Sequence, residues 1–213
     1  MGSGQSRLTP ETIHTLSEQT QFDKREITTW HRAFVHEMNG KPGLTKSQLI
    51  TLLKSFFPFG DCSKFADLMF RLFTVGSFDA NVDDRDNRDK ELSDSKRGKQ
   101  LEQVITYADY LTALSVASRG RTEEKIKWTF RFYDVDGDGL VSREDLVHVL
   151  TAIAEMTVGM VTCDQDISNR VDHIFACTGD LKTPAQFSYE EFRSAYHQDP
   201  DLLQGLIIYD GIV

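Results

Sequence analysis

Three features are scarce in this sequence: cysteine, basic residues relative to acidic ones, and long apolar runs. The cysteines are odd in number and widely spaced, which argues against a disulfide framework or a zinc site and fits reduced thiols: Cys62, Cys163 and Cys177. No segment approaches the roughly 20 apolar residues of a membrane-spanning helix, and no apolar stretch near the N-terminus resembles a signal peptide. These absences predict a soluble, cytoplasmic protein.

The charge balance narrows the class of ligand. The 213 residues contain 24 Lys and Arg against 33 Asp and Glu, which gives a formal net charge of −9. An acidic excess of this kind argues against nucleic acid as the main partner and suits a protein that binds cations. The hydrophobic content of 39% is enough for the packed core of one or two domains.

A cation site is indicated between Asp134 and Asp145, where the chain reads DVDGDGLVSRED. The segment has the length and spacing of an EF-hand loop, with Gly139 at the sharp turn and the apolar Val141 at position 8. The predicted ligands of Ca²⁺ are Asp134, Asp136 and Asp138, the carbonyl of Leu140, Ser142 and Asp145. A solvated acidic turn is the alternative, but chance rarely combines this glycine with the apolar position. The pattern therefore predicts a Ca²⁺ site.

The last ligand position departs from the usual motif. EF-hand loops place Glu there, and Glu binds Ca²⁺ through both oxygens. Asp145 is one methylene shorter and is expected to supply a single oxygen. Because Mg²⁺ prefers six ligands in a tight octahedron, the sequence predicts weaker Ca²⁺ binding and competition by Mg²⁺ at the same site.

Apolar residues recur at helical spacing on both sides of this loop, which predicts a helix-loop-helix unit and an all-α fold. These residues are Ile126, Phe130 and Tyr133 before the loop, and Leu146, Val149, Leu150 and Ile153 after it. Each stripe is more typical of a buried core face than of a binding surface.

The N-terminus reads MGSGQS and matches the pattern for N-myristoylation. Gly2 is the acceptor after removal of Met1, and Ser6 stands at the favoured position. The motif is short, and a flexible polar tail or a cloning remnant is the alternative. A single myristoyl chain gives only marginal, reversible membrane binding.

Four segments carry a resemblance to a known family: QFDKREITTWHRAF around Trp30, SFFPFGDCSKFA around Phe57, LSVASRG ending at Gly120, and the C-terminal DPDLLQGLIIYDGIV. Through them the chain resembles the neuronal calcium sensors of the frequenin and recoverin group. The resemblance implies a compact all-α protein of four EF-hands in two pairs, myristoylated at Gly2. It also implies a hydrophobic groove that receives a target helix.

This resemblance divides the chain into an N-terminal EF-hand pair, residues 1–117, and a C-terminal pair with a final helix, residues 118–213. The first and fourth loops lack the alternating acids, so we expect neither to bind metal. The second loop is interrupted by an insert at about 75–104, whose polar, charge-mixed sequence predicts disorder. Only the third loop is expected to hold an ion.

The resemblance also nominates residues for the groove, although ordinary core packing is an equal alternative for each: Trp30, Phe34, Leu53, Phe57, Phe73 and Leu111. The expected partner is an amphipathic helix of a membrane-associated enzyme, receptor or channel. A second hypothesis for the function is a regulatory subunit like calcineurin B, which stays bound to its enzyme or exchanger. The six histidines have no companion nucleophile, so we see no catalytic site.

Overall fold

The computed structural model describes residues 8–38, 41, 43–75, 104–157, 164–178 and 186–198. Helices account for most of these residues. In chain order the elements are α1 (Pro10–Gln19), α2 (Lys24–Glu37), α3 (Lys46–Phe56), α4 (Ser63–Val75), α5 (Tyr107–Arg119), α6 (Thr122–Tyr133), β1 (Leu140–Ser142), α7 (Arg143–Met156), α8 (Asp164–Thr178), β2 (Gln186–Ser188) and α9 (Tyr189–Gln198).

Four of these helices begin with the same side-chain arrangement. A Ser or Thr precedes the helix, and the acid or amide three residues later accepts a hydrogen bond from the backbone N–H of that Ser or Thr. The pairs are Thr45 with Gln48, Thr106 with Asp109, Ser142 with Asp145, and Ser188 with Glu191. Such reciprocal capping satisfies backbone N–H groups that a helix start leaves without partners. α3, α5, α7 and α9 thus begin in the same way, as the exiting helices of the four predicted EF-hands are expected to do.

The residues just before these helices pair two by two. Leu44 and Ile105 form an antiparallel bridge, with N–H to carbonyl distances of 2.9 Å in both directions. β1 and β2 form a second antiparallel ladder, in which Val141 lies opposite Phe187. Val141 and Phe187 are 0% exposed, and Leu44 and Ile105 are 6% and 1% exposed, so both pairings belong to the hydrophobic core.

One large hydrophobic core runs through both pairs, and α4 lies at its centre. α4 packs against α3 and α5 on one side and against α6 and α7 on the other. The ring centroids of Phe65 and Phe132 lie 5.7 Å apart, and those of Phe73 and Trp128 lie 6.4 Å apart. Aromatic contacts of this geometry fix the two halves against each other.

The turn between α3 and α4 docks on the C-terminal end of α7. The backbone N–H of Asp61 donates to the carbonyl oxygen of Glu155 at 2.9 Å. Gly60 lies so close that a Cβ on it would be 1.7 Å from the carbonyl oxygen of Met156. The last carbonyls of a helix lack partners within that helix, and this turn supplies one.

The observed elements confirm the prediction of an all-α EF-hand fold. The predicted limits of the two pairs at residues 117 and 118 stay a prediction. Most of the predicted insert, residues 76–103, lies outside the described residues, as does the C-terminal segment after Gln198. Within the described part of the chain, every helix is too short or too polar to cross a membrane.

Candidate metal centre

The third loop connects α6 to β1 and α7, and its first residue ends α6. Asp134 is the C-cap of that helix, and its backbone N–H donates to the carbonyl of Phe130 at 2.9 Å. Gly137 and Gly139 have φ angles of 80° and 89°. Positive φ costs little for glycine and is strained for other residues, so these two positions let the chain turn sharply around the Asp134 side chain.

The Asp134 carboxylate organises the loop from inside. Its Oδ1 accepts a hydrogen bond from the N–H of Gly137 at 2.8 Å, and its Oδ2 accepts one from Gly139 at 3.1 Å. Asp136 and Asp138 each bond to a backbone N–H two residues later, at 3.2 and 2.7 Å. These local bonds hold the three acidic side chains in one turn of the chain.

The three carboxylates converge. Asp134, Asp136 and Asp138 each offer an oxygen within 4.8 Å of the others. Asp134 is buried, and this burial raises the pKa of its carboxyl group, with Asp138 and Asp136 adding to the effect. The N–H groups of Gly139 and Gly137 oppose it only in part. Clustered carboxylates repel one another, so a hard cation with oxygen ligands fits this donor set.

The other predicted ligands belong to β1 and to the first turn of α7. Ser142 and Asp145 form the capping box of α7, in which Asp145 Oδ2 accepts from the Ser142 N–H at 2.9 Å and from its hydroxyl at 2.7 Å. Leu140 lies in β1, opposite Ser188. Three of the four predicted acidic ligands therefore converge. The fourth, Asp145, uses one carboxylate oxygen to cap the N-terminus of α7.

An arginine from the N-terminal pair reaches this loop. Arg71 lies on α4, and its Nη1 donates to the backbone carbonyl of Asp134 at 2.9 Å. Burial lowers the pKa of the guanidinium, and the carboxylates of Asp134, Asp145 and Asp136 act in the opposite direction. The sequence analysis missed this residue because 63 positions separate it from Asp134. A lone arginine within an apolar helix, FADLMFRLF, was the available signal.

Comparison with known proteins places this loop in a family. The protein-family model described as an EF-hand domain pair matches residues 123–197, which contain the third loop. Neuronal calcium sensor 1 of Lymnaea stagnalis is 35% identical over 215 aligned residues, which cover 99% of this chain and 98% of that protein. The chain belongs to the neuronal calcium sensor family. This assignment confirms the resemblance seen in the sequence.

Other members match as well. Neuronal calcium sensor 1 of Aplysia californica is 34% identical over 99% of this chain and 98% of its own length. Human recoverin is 28% identical over 158 residues, which cover 73% of this chain and 66% of that protein. A neuronal calcium sensor is a regulatory EF-hand protein, so the family confirms the prediction that the chain is not an enzyme, and it implies calcium binding.

The residues predicted to line the target groove differ in how far their side chains are exposed. Trp30 on α2 is 40% exposed, and Leu53 and Phe57 are half-buried. Phe34 and Phe73 are buried in the main core. Leu111 has no exposed surface, because it packs under α1 in a separate cluster with Leu16, Phe22 and Ile27.

Larger exposed apolar side chains lie on α3 and in the turn after it. Leu52 is 41% exposed, Phe56 is 62% exposed and Phe59 is 87% exposed. The sequence analysis did not place these three in the groove. For Phe56 and Phe59 the signal was the run SFFPFG, which carries more apolar residues than the core side of a short helix and turn can bury. Gly2, the predicted lipidation site, lies outside the described residues.

Proposed function

We propose that this neuronal calcium sensor is a calcium-responsive adaptor that binds amphipathic helices of membrane-associated enzymes, receptors or channels. The observation that carries the proposal is the convergence of Asp134, Asp136 and Asp138 in a loop between two packed helices. Ca²⁺ would be held by these carboxylates, the Leu140 carbonyl, Ser142 and Asp145. It would neutralise the acidic loop and link α6 to α7.

Contacts of α7 support a link between metal binding and the N-terminal part of the molecule. α7 carries Asp145 at its start, and its C-terminal end is docked on the turn at Gly60 and Asp61. A shift of α7 would therefore act on the α3–α4 turn. Phe56 ends α3 next to this turn, Phe59 lies in the turn, and both are exposed. Movement of exiting helices is the usual way in which EF-hand sensors change an apolar surface.

Target binding can be tested with a defined probe. An amphipathic model helix made of Leu and Lys residues should bind more tightly with Ca²⁺ than without it, as measured by titration calorimetry. Trp30→Ala should weaken this binding by about tenfold or more, because exposed aromatic side chains dominate such interfaces. Val147→Ala is the matched control, since Val147 is 39% exposed on α7. Equal binding with and without Ca²⁺ would favour a constitutive subunit of the calcineurin B kind.

The shorter acid at position 12 gives a second test. Asp145→Glu should tighten Ca²⁺ binding by roughly tenfold and weaken competition by Mg²⁺, because the longer side chain restores a second chelating oxygen. Calorimetric titration of Ca²⁺ with and without Mg²⁺ measures both effects. Asp109→Glu is the control, since Asp109 has the same capping position in the second hand. An unchanged Ca²⁺/Mg²⁺ preference would show that the backbone already compensates for the shorter side chain.

We also propose that Gly2 is N-myristoylated and that the protein associates reversibly with membranes from the cytoplasm. The support is the MGSGQS motif together with membership of the family. One chain binds only weakly, so a membrane-bound partner would supply the second signal. Mass spectrometry of the protein produced with an N-myristoyltransferase tests the modification, and a free Gly2 amine would contradict it.

A further inference from the structure

Arg71 is a cation next to a predicted cation site. It comes from α4, in the N-terminal EF-hand pair, and contacts the first residue of the third loop, in the C-terminal pair. The core-facing side of α4 is otherwise apolar, and Phe65, Leu68 and Leu72 are buried there. A charged side chain in such a helix is partly removed from water and needs compensation from nearby groups.

The third loop supplies part of this compensation. The 2.9 Å bond to the Asp134 carbonyl uses one N–H of the guanidinium, and the carboxylates of Asp134, Asp145 and Asp136 favour its charge. The same carboxylates are the predicted metal ligands. Arg71 therefore already balances part of the negative charge that would attract a divalent ion.

A fixed positive charge opposes the entry of a second one. The opposition is proportional to the charge of the entering ion, and it is larger where the charges are partly shielded from water. Arginine remains protonated under all physiological conditions, so the effect does not vary with pH. Salt screens it less than it would screen a surface charge.

We propose that Arg71 sets the cation affinity of the third loop, by holding a permanent positive charge against the carboxylates that would bind the ion. This inference rests on the proposed role of the third loop as the metal site. It makes a residue of the N-terminal pair a determinant of binding in the C-terminal pair. The loop would then bind Ca²⁺ more weakly than its own acids would allow.

Three variants separate the charge of Arg71 from its hydrogen bond. Arg71→Gln removes the charge and keeps an N–H donor, Arg71→Met removes both, and Arg71→Lys keeps the charge. We expect Arg71→Gln and Arg71→Met to lower the Kd for Ca²⁺ on the order of threefold to tenfold. The Kd of Arg71→Lys should stay within about twofold of that of the wild type. The Kd is measured by calorimetric titration of the full chain, after circular dichroism has confirmed that each variant is folded.

A second readout identifies a charge effect. Tb³⁺ carries three charges and Ca²⁺ carries two, so Arg71→Gln should change the logarithm of the Tb³⁺ affinity about 1.5 times as much. A purely structural role for Arg71 would give no such ratio. Arg143→Gln is the matched control, because Arg143 belongs to the same loop but is exposed and paired with Asp172 at 2.6 Å. Arg143→Gln should change the Kd for either ion by less than about twofold.

The possible outcomes distinguish a failure of this inference from a failure of the proposed metal centre. If the wild type fails to bind Ca²⁺, the proposed metal centre is wrong, and the inference is overturned with it. If the wild type binds Ca²⁺ but Arg71→Gln and Arg71→Met leave the Kd unchanged, only the role of Arg71 is overturned. If all three variants weaken binding, Arg71 orients the Asp134 carbonyl and its charge does not set the affinity, which also overturns the inference.

Discussion

Asp134→Asn is expected to remove Ca²⁺ binding by the third loop and to lower the affinity at least about 100-fold. Changes to groups that merely support a metal ligand cost about 10- to 100-fold, and Asp134 would be a direct ligand. It is also the buried member of the three convergent carboxylates and accepts two backbone N–H groups of the loop. Asn keeps the volume of the side chain but has a single acceptor oxygen, so the variant loses a charge and one of the two hydrogen bonds from the loop backbone.

Calorimetric titration measures this loss. The wild type should bind about one Ca²⁺ per chain with high affinity, and Asp134→Asn should show no comparable step. Asp172→Asn is the control, since it removes an exposed acid of the same EF-hand pair that lies outside the loop. A stoichiometry near one in Asp134→Asn would show that the ion binds at another loop. Two or more strong sites in the wild type would contradict the expectation that the other loops bind no metal.

Gly60→Ala is expected to destabilise the whole fold by roughly 1–3 kcal/mol, the range for overpacking in a well-packed region. A Cβ at this position would lie 1.7 Å from the carbonyl oxygen of Met156 and 2.9 Å from that of Glu155. Both are backbone atoms of the last turn of α7, so no flexible side chain can move aside. The α3–α4 turn would have to leave α7, and the bond from Asp61 to Glu155 would be lost with it.

Urea unfolding followed by circular dichroism gives the free energy of unfolding for this test. Phe59→Ala is the control, because it changes a larger residue in the same turn, and Phe59 is 87% exposed. Substitutions of exposed side chains usually change stability by less than about 0.5 kcal/mol. Equal stability of Gly60→Ala and the wild type would mean that the turn and α7 are not in contact in solution.

Much of the metal centre could be predicted because its determinants are local. A twelve-residue spacing of oxygen-bearing side chains limits which residues can converge. The structure brings oxygens of Asp134, Asp136 and Asp138 within 4.8 Å of one another, and their role as metal ligands stays a prediction. The helices on either side follow from the recurrence of apolar residues at helical spacing. Leu146, Val149 and Leu150 of the stripe on α7 are buried, and Ile153 is partly buried.

The sequence by itself therefore determined the helices, the acidic loop and the family to which the chain belongs. The tertiary structure alone decided which residues meet across long separations: Arg71 with Asp134, Gly60 with Met156, and Leu111 with the residues under α1. Trp30 and Leu111 are both large apolar residues on helices, yet one is 40% exposed and the other fully buried. The reason is physical. Periodicity fixes the apolar face of a helix, but the neighbouring elements decide whether that face is covered.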